Sequence, residues 1–188
     1  MKFNHHLLAG LLYLGTVPAA IGCGFHPALE PQLESMYPGS LPVAVALRKA
    51  ADNGVINAAA LEAPGNGTAI YIDTVRRLQE FRKALTASPA AAELPRSFSL
   101  GYVESQLWTR YSQFDGKIRV SIHIEGPAEG EAVVLTGEPV LTAVLAGKLS
   151  VDRALADGMI QIEGNESDKT ALRQVLNTTS TASKISSR

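Results

Sequence analysis

The chain has 188 residues, 46% of them hydrophobic and 19% charged, with a formal net charge of -1. That length and balance suit one globular domain, and a near-neutral chain with no basic stripe of interleaved aromatics argues against a nucleic acid partner. A single cysteine cannot form an intramolecular disulfide.

Residues 1–22 read as a signal peptide. Lys2, His5 and His6 give a weakly positive start, Leu7 to Val17 is an apolar run too short to span a bilayer comfortably, and small residues follow. Cys23 stands directly after Ala20-Ile21-Gly22. This arrangement resembles a bacterial lipoprotein cleavage box, in which the cysteine becomes the first residue and is acylated, although Ala20 stands where leucine is usual. Acyl chains, at about 0.8 kcal/mol per buried CH₂, would hold the protein to a membrane surface. Ordinary cleavage after Ala19 or Gly22, leaving a free or mixed-disulfide thiol, is the competing reading. Either way the expected product is exported, as a periplasmic or membrane-anchored lipoprotein of a bacterium. Cys23 and His26 have a spacing that can grip a soft metal, but zinc needs three or four ligands and the only other histidine past the leader is His123. No metal or cofactor is expected.

Residues 23–39, with Pro27, Pro31 and Pro38, read as a tether, and residues 40–178 as a single α+β domain. Ser40 is expected to cap an apolar helix ending at Gly54, with Val43, Val45, Leu47, Ala50 and Ala51 buried around much of its circumference. After a loop with Pro64, Gly65 and Gly67, Asp73 is expected to open a second helix with Val75, Leu78, Phe81 and Leu85 in one stripe. Arg76, Arg77, Arg82 and Lys83, tempered by Glu80, fit the solvated face of that helix better than a lipid headgroup site. Ser88 to Pro95 reads as a linker.

From Phe98 the pattern alternates. Phe98, Leu100 and Tyr102 share one face, and Val103, Leu107, Thr109 and Tyr111 the other, so the phase slip near Tyr102 predicts a bulge or a break into two strands. Asp115-Gly116 is a hairpin signal. Ile118, Val120, Ile122 and Ile124 then alternate with Arg119, Ser121, His123 and Glu125. His123 and Glu125 could relay a proton, but with no nucleophile or third partner beside them His123 reads as a surface residue. Trp108 and Tyr111 read as core or edge packing that could touch a ligand.

The stretch from Val133 to Leu176 orders strand, helix, helix, strand and helix, with glycines at the joints. Gly137-Glu138-Pro139 starts a helix whose Val140, Leu141, Val144 and Leu145 share a face. Ser150 caps a short helix bearing Val151, Ala154 and Leu155, and Gly158 sits where positive φ is needed. Ile160 and Ile162 alternate inward along a strand, and a helix from about Ser167 carries Leu172, Val175 and Leu176. Residues 179–188 are small and polar and read as a disordered tail.

The segments AVVLTG, EPVLTAVLAG, KLSVDRALADG and MIQIEG, followed by an amphipathic helix, resemble the C-terminal half of sterol carrier protein type 2 domains, over residues 98–176. The resemblance implies an antiparallel sheet of about four to five strands covered by several helices around an apolar tunnel, which in that family takes sterols, fatty acyl chains, quinones or other hydrophobic molecules. Spacing alone makes Val120, Ile122, Leu141, Val144, Leu145, Leu155, Ile160, Leu172 and Leu176 candidates to line such a tunnel, and each could equally be plain core. The leading expectation is thus a non-catalytic carrier of a hydrophobic small molecule. A membrane-tethered adaptor with a filled core and no ligand stands beside it. No catalytic constellation supports an enzyme.

Overall fold

The computed structural model describes residues 36–61 and 67–186. The expected signal peptide, Cys23, His26 and most of the expected tether lie outside the described residues.

Helix α1 (Ser40–Asp52) begins one residue earlier than a Ser40 cap would place it. Gly39 holds the cap position at φ 94, and a Cβ there would lie 2.5 Å from the Gln161 side chain, so both backbone conformation and space require glycine. Ser40 is instead the first helical residue, fully buried. Only one face of α1 is covered: Val43 and Leu47 are buried, whereas Leu41 is 41% and Val45 61% exposed. The expectation of a helix buried on most of its circumference is corrected accordingly: one side of α1 packs against the strand Ala132–Thr136 and the other faces solvent.

Helix α2 (Gly67–Ala87) starts six residues before Asp73. Asp73 lies inside it and pairs with Arg76 at 2.8 Å. Leu78, Phe81 and Leu85 form the buried stripe, joined by Thr74, while Val75 is only half-buried. The segment after it is packed rather than loose: a 3-10 turn spans Ala91–Glu93, and Ala90 and Leu94 are buried on either side of it.

Among the described residues, five strands make one sheet: β1 (Ser97–Tyr102), β2 (Leu107–Phe114), β3 (Lys117–Ile122), β4 (Ala132–Thr136) and β5 (Gln161–Glu163), in the order β3-β2-β1-β4-β5. The sheet with its covering helices has the expected α+β architecture. Three pairings are antiparallel, and that of the central strand β1 with β4 is parallel. The phase slip near Tyr102 is a chain reversal. Phe98 pairs with Tyr111, Leu100 with Thr109 and Tyr102 with Leu107, so two sets of side chains expected on opposite faces share one face of the sheet. The Asp115-Gly116 hairpin forms with φ 51 and 68. β3 stops at Ile122, because His123 takes φ 63 and its N–H and that of Ile124 both donate to the Trp108 carbonyl, a bulge that ends the alternation.

Helices α3 (Glu138–Leu145), α4 (Val151–Ala156) and α5 (Glu166–Ser186) complete the domain. Ser150 caps α4 by accepting from the Arg153 N–H at 3.2 Å, and Gly158 follows with φ 73. Helix α5 continues to Ser186, through most of the stretch read as a disordered tail. Thr179 helps to carry it on, buried and with its hydroxyl donating to the Leu176 carbonyl. α2, α3 and α5 pack on one another, and the Tyr111 hydroxyl donates to the Leu78 carbonyl of α2, which puts these helices over the Phe98/Tyr111 face. On the other face Tyr37 meets Trp108 edge-on at 5.7 Å, and Glu131 accepts from Ser99 and Arg110.

Candidate functional site

The parallel pairing of β1 and β4 determines which side chains meet at their ends. Tyr102 pairs with Thr136, so the two strands finish side by side, and the Val103 N–H donates to the Thr136 carbonyl at 3.0 Å. Two residues beyond each strand end stands a glutamate. Glu104 lies in the β1–β2 turn, Glu138 opens α3, and the two are brought together although 34 residues separate them.

Helix α3 has no capping side chain of its own, since its N-cap is Gly137. Glu104 substitutes for it, one carboxylate oxygen accepting the Glu138 N–H. A Cβ on Gly137 would lie 2.8 Å from Leu47 and 3.2 Å from Glu104 Oε2, which explains the glycine between strand and helix. The Glu138 carboxylate is held from α2, accepting from Thr74 Oγ1 at 2.6 Å and from Arg77 Nε at 3.2 Å. Burial pushes the Glu104 carboxyl from 4.5 up to about 7, against the lowering effect of the backbone N–H groups of Glu104 and Glu138, and the Glu138 charge adds to the rise. Burial likewise raises the Tyr102 phenol, and Tyr111, Glu138 and Glu104 raise it further, against Arg77.

Tyr102 is 1% exposed and lies on the helix-covered face, where its hydroxyl has no hydrogen-bond partner among the described residues. The same holds for Thr109 Oγ1, one strand over on the same face, and for Glu104 Oε2. A buried polar atom left without a partner costs about 1–3 kcal/mol.

The nine residues expected to line a tunnel all join one hydrophobic cluster. Leu141, Val144, Ile160, Leu172 and Leu176 are buried, and Val120, Ile122, Leu145 and Leu155 are partly buried against them. They do not converge on one point. Val120 and Ile122 lie on edge strand β3 and Ile160 leads into the opposite edge strand β5. Four inter-strand spacings, about 19 Å in all, separate those edges. Leu141, Val144, Leu172 and Leu176 come from α3 and α5, which do pack together. His123 is exposed and meets the Tyr71 ring at 5.2 Å instead of pairing with Glu125. The polar end escaped the sequence reading. Glu104 and Glu138 look like ordinary turn and helix-start residues, and only the parallel register joins them.

No family model matches this chain, and no curated protein matches it. Among solved structures it is similar to a sterol carrier protein 2, with 19% identity over 56% of this chain and 94% of that one, at a TM-score of 0.39. A ubiquinone synthesis protein, UbiJ-SCP2, has 12% identity over 61% and 96%, with a TM-score of 0.41. The inverting sec-alkylsulfatase Pisa1 from Pseudomonas sp. has 13% identity over 48% of this chain, with a TM-score of 0.38, and the match spans only 14% of the sulfatase's length. With TM-scores under 0.5, the functional reading rests on this chain's own geometry.

Proposed function

We propose that this chain is a sterol carrier protein type 2-like domain that binds a hydrophobic small molecule between its sheet and helices α2, α3 and α5, without chemistry of its own. The observation that carries the reading is the pair of fully buried, unpartnered hydroxyls, Tyr102 and Thr109, on the helix-covered face of an otherwise apolar interior. An apolar guest with one polar group would supply their missing partners. It would also replace its own hydration with side chains, worth several kcal/mol at roughly 25 cal/mol per Å² before binding entropy is subtracted. Lipids, sterols, fatty acyl chains and quinones belong to this class. The leader-like start and Cys23 add an exported, membrane-anchored setting to the proposal. The test is extraction of the purified protein with organic solvent followed by mass spectrometry of the extract. A lipid or quinone recovered at near-equimolar amount supports the carrier, and an extract free of such molecules from a folded protein that also fails to bind an apolar fluorophore opposes it.

The second reading is an adaptor with a filled core. It draws support from the other end of the interior, where Tyr111 stacks on Phe98 at 5.2 Å and meets Phe81 edge-on at 5.3 Å, with Leu78 and Leu85 fully buried. These rings pack against one another at that end of the interior.

A further inference from the structure

We infer that the tip of the β2–β3 hairpin is a docking surface for an anionic lipid bilayer, with Phe114 seated at the headgroup level and Lys117 and Arg119 against lipid phosphates. The inference goes beyond the carrier reading, because this surface lies on the sheet face opposite α2, α3 and α5 and holds or fails whether or not the interior takes a ligand. Phe114 pairs across the hairpin with Lys117, and Ser112 with Arg119, so strand alternation puts these four side chains on one face at one end of the ribbon. Phe114 is 56% exposed even though the Arg119 guanidinium covers one side of its ring, 3.8 Å from the centroid. The base of the tip is pinned: the Gln113 N–H donates to the Arg96 carbonyl at 2.8 Å, and the Gln113 side-chain amide donates to the Leu94 carbonyl at 2.8 Å.

From Leu107 to Ile122 the hairpin carries Arg110, Lys117 and Arg119 against a single acid, Asp115 in the turn. Arg110 is neutralised by Glu131 at 2.9 Å, whereas neither Lys117 nor Arg119 has an ion-pair partner among the described residues. Beside the hairpin Arg96 is exposed, and Glu93 is engaged by Gln174 at 3.0 Å. The tip is thus positive on a chain whose net charge is -1, which makes the surplus a local feature. Two cations flanking an exposed aromatic ring match a bilayer interface, where the ring rests among headgroups and each Lys or Arg near an anionic surface strengthens binding about fivefold. A protein partner fits less well: a stable interface covers about 800 Å² per side, and one aromatic ring supplies about 150–250 Å² at most.

The test uses the full chain with Phe114→Trp, mixed with vesicles of phosphatidylcholine and phosphatidylglycerol that carry brominated acyl chains; buried Trp108 supplies a constant background. The added indole is expected to shift to the blue and be quenched on these vesicles, and to lose both effects on phosphatidylcholine alone or in high salt. Lys117→Gln and Arg119→Gln in the same background, with folding checked by circular dichroism, are each expected to move the ratio of quenched to unquenched emission about fivefold toward unquenched. An indole left unquenched on anionic vesicles that have taken up the chain overturns the inference, as does equal quenching on neutral vesicles. A blue shift that grows with protein concentration in the absence of vesicles makes a second copy the occupant and overturns it too. Recovery of a ligand from the interior bears on none of these results, so the carrier reading stands or falls separately.

Discussion

Replacing Glu104 by glutamine removes the charge of the buried carboxyl while keeping an oxygen that can accept the Glu138 N–H at the start of α3. In the unfolded chain this carboxyl titrates near 4.5, and in the fold at about 7. Between those values the folded state binds more protons than the unfolded one, so stability falls as pH rises. The contribution is present in full below pH 4.5 and gone above about 7. The difference, 7 − 4.5 = 2.5 pK units at 1.36 kcal/mol each, is on the order of 3 kcal/mol. Urea unfolding from pH 5 to 8 should therefore show the wild type losing most of that amount across the range. Glu104→Gln should be nearly flat, and more stable than the wild type at pH 8. Parallel pH profiles for the two proteins would refute the burial of the carboxyl.

Glu131 predicts the opposite pH dependence. Burial would raise its carboxyl, but bonds from Arg110, the Ala128 N–H, Ser99 and Ser97 hold it below the usual range. Its contribution is present above the unfolded value and lost as pH falls through the folded one, so Glu131→Ala should cost about 2–3 kcal/mol at pH 7 and less in acid, read by thermal unfolding. Gly101→Ala would place a Cβ 2.8 Å from the Trp108 ring and 3.1 Å from Leu135. It should destabilise by about 1–3 kcal/mol and shift the emission of the single tryptophan; an unchanged spectrum would contradict that packing. Tyr111→Phe keeps the stacking on Phe98 and loses the bond to the Leu78 carbonyl, so it should cost about 1 kcal/mol, whereas Tyr111→Ala should cost about 3–5 kcal/mol. Intact mass of the chain expressed in a lipoprotein-processing host should show acyl mass on Cys23 and loss of membrane association in Cys23→Ser; unmodified mass in both would remove the anchor.

Features encoded locally could be read from the sequence. Asp115-Gly116 declares a hairpin because both residues must take positive φ, and Ser150 declares a helix start because its hydroxyl reaches the Arg153 N–H three residues on. Features made by distant pairing could not. Nothing in the alternation of Phe98 to Tyr102 shows that β4 will lie beside it in the same direction, and the meeting of Glu104 with Glu138 depends on that register. Val45 misled for a related reason: an apolar residue on a helix is buried only if something covers that side, and here α1 offers Val45 to solvent. The tunnel residues were legible as core, but their division between the two sheet edges is a property of strand order, which composition does not encode.

The most direct measurement is methyl-resolved NMR of the isotope-labelled chain titrated with dodecanol. A ligand seated between sheet and helices should shift the methyl signals of Leu141, Val144, Leu172 and Leu176 saturably, leaving exposed Leu41 and Val45 in place. Shifts confined to the exposed methyls, or none at all, would contradict an interior site.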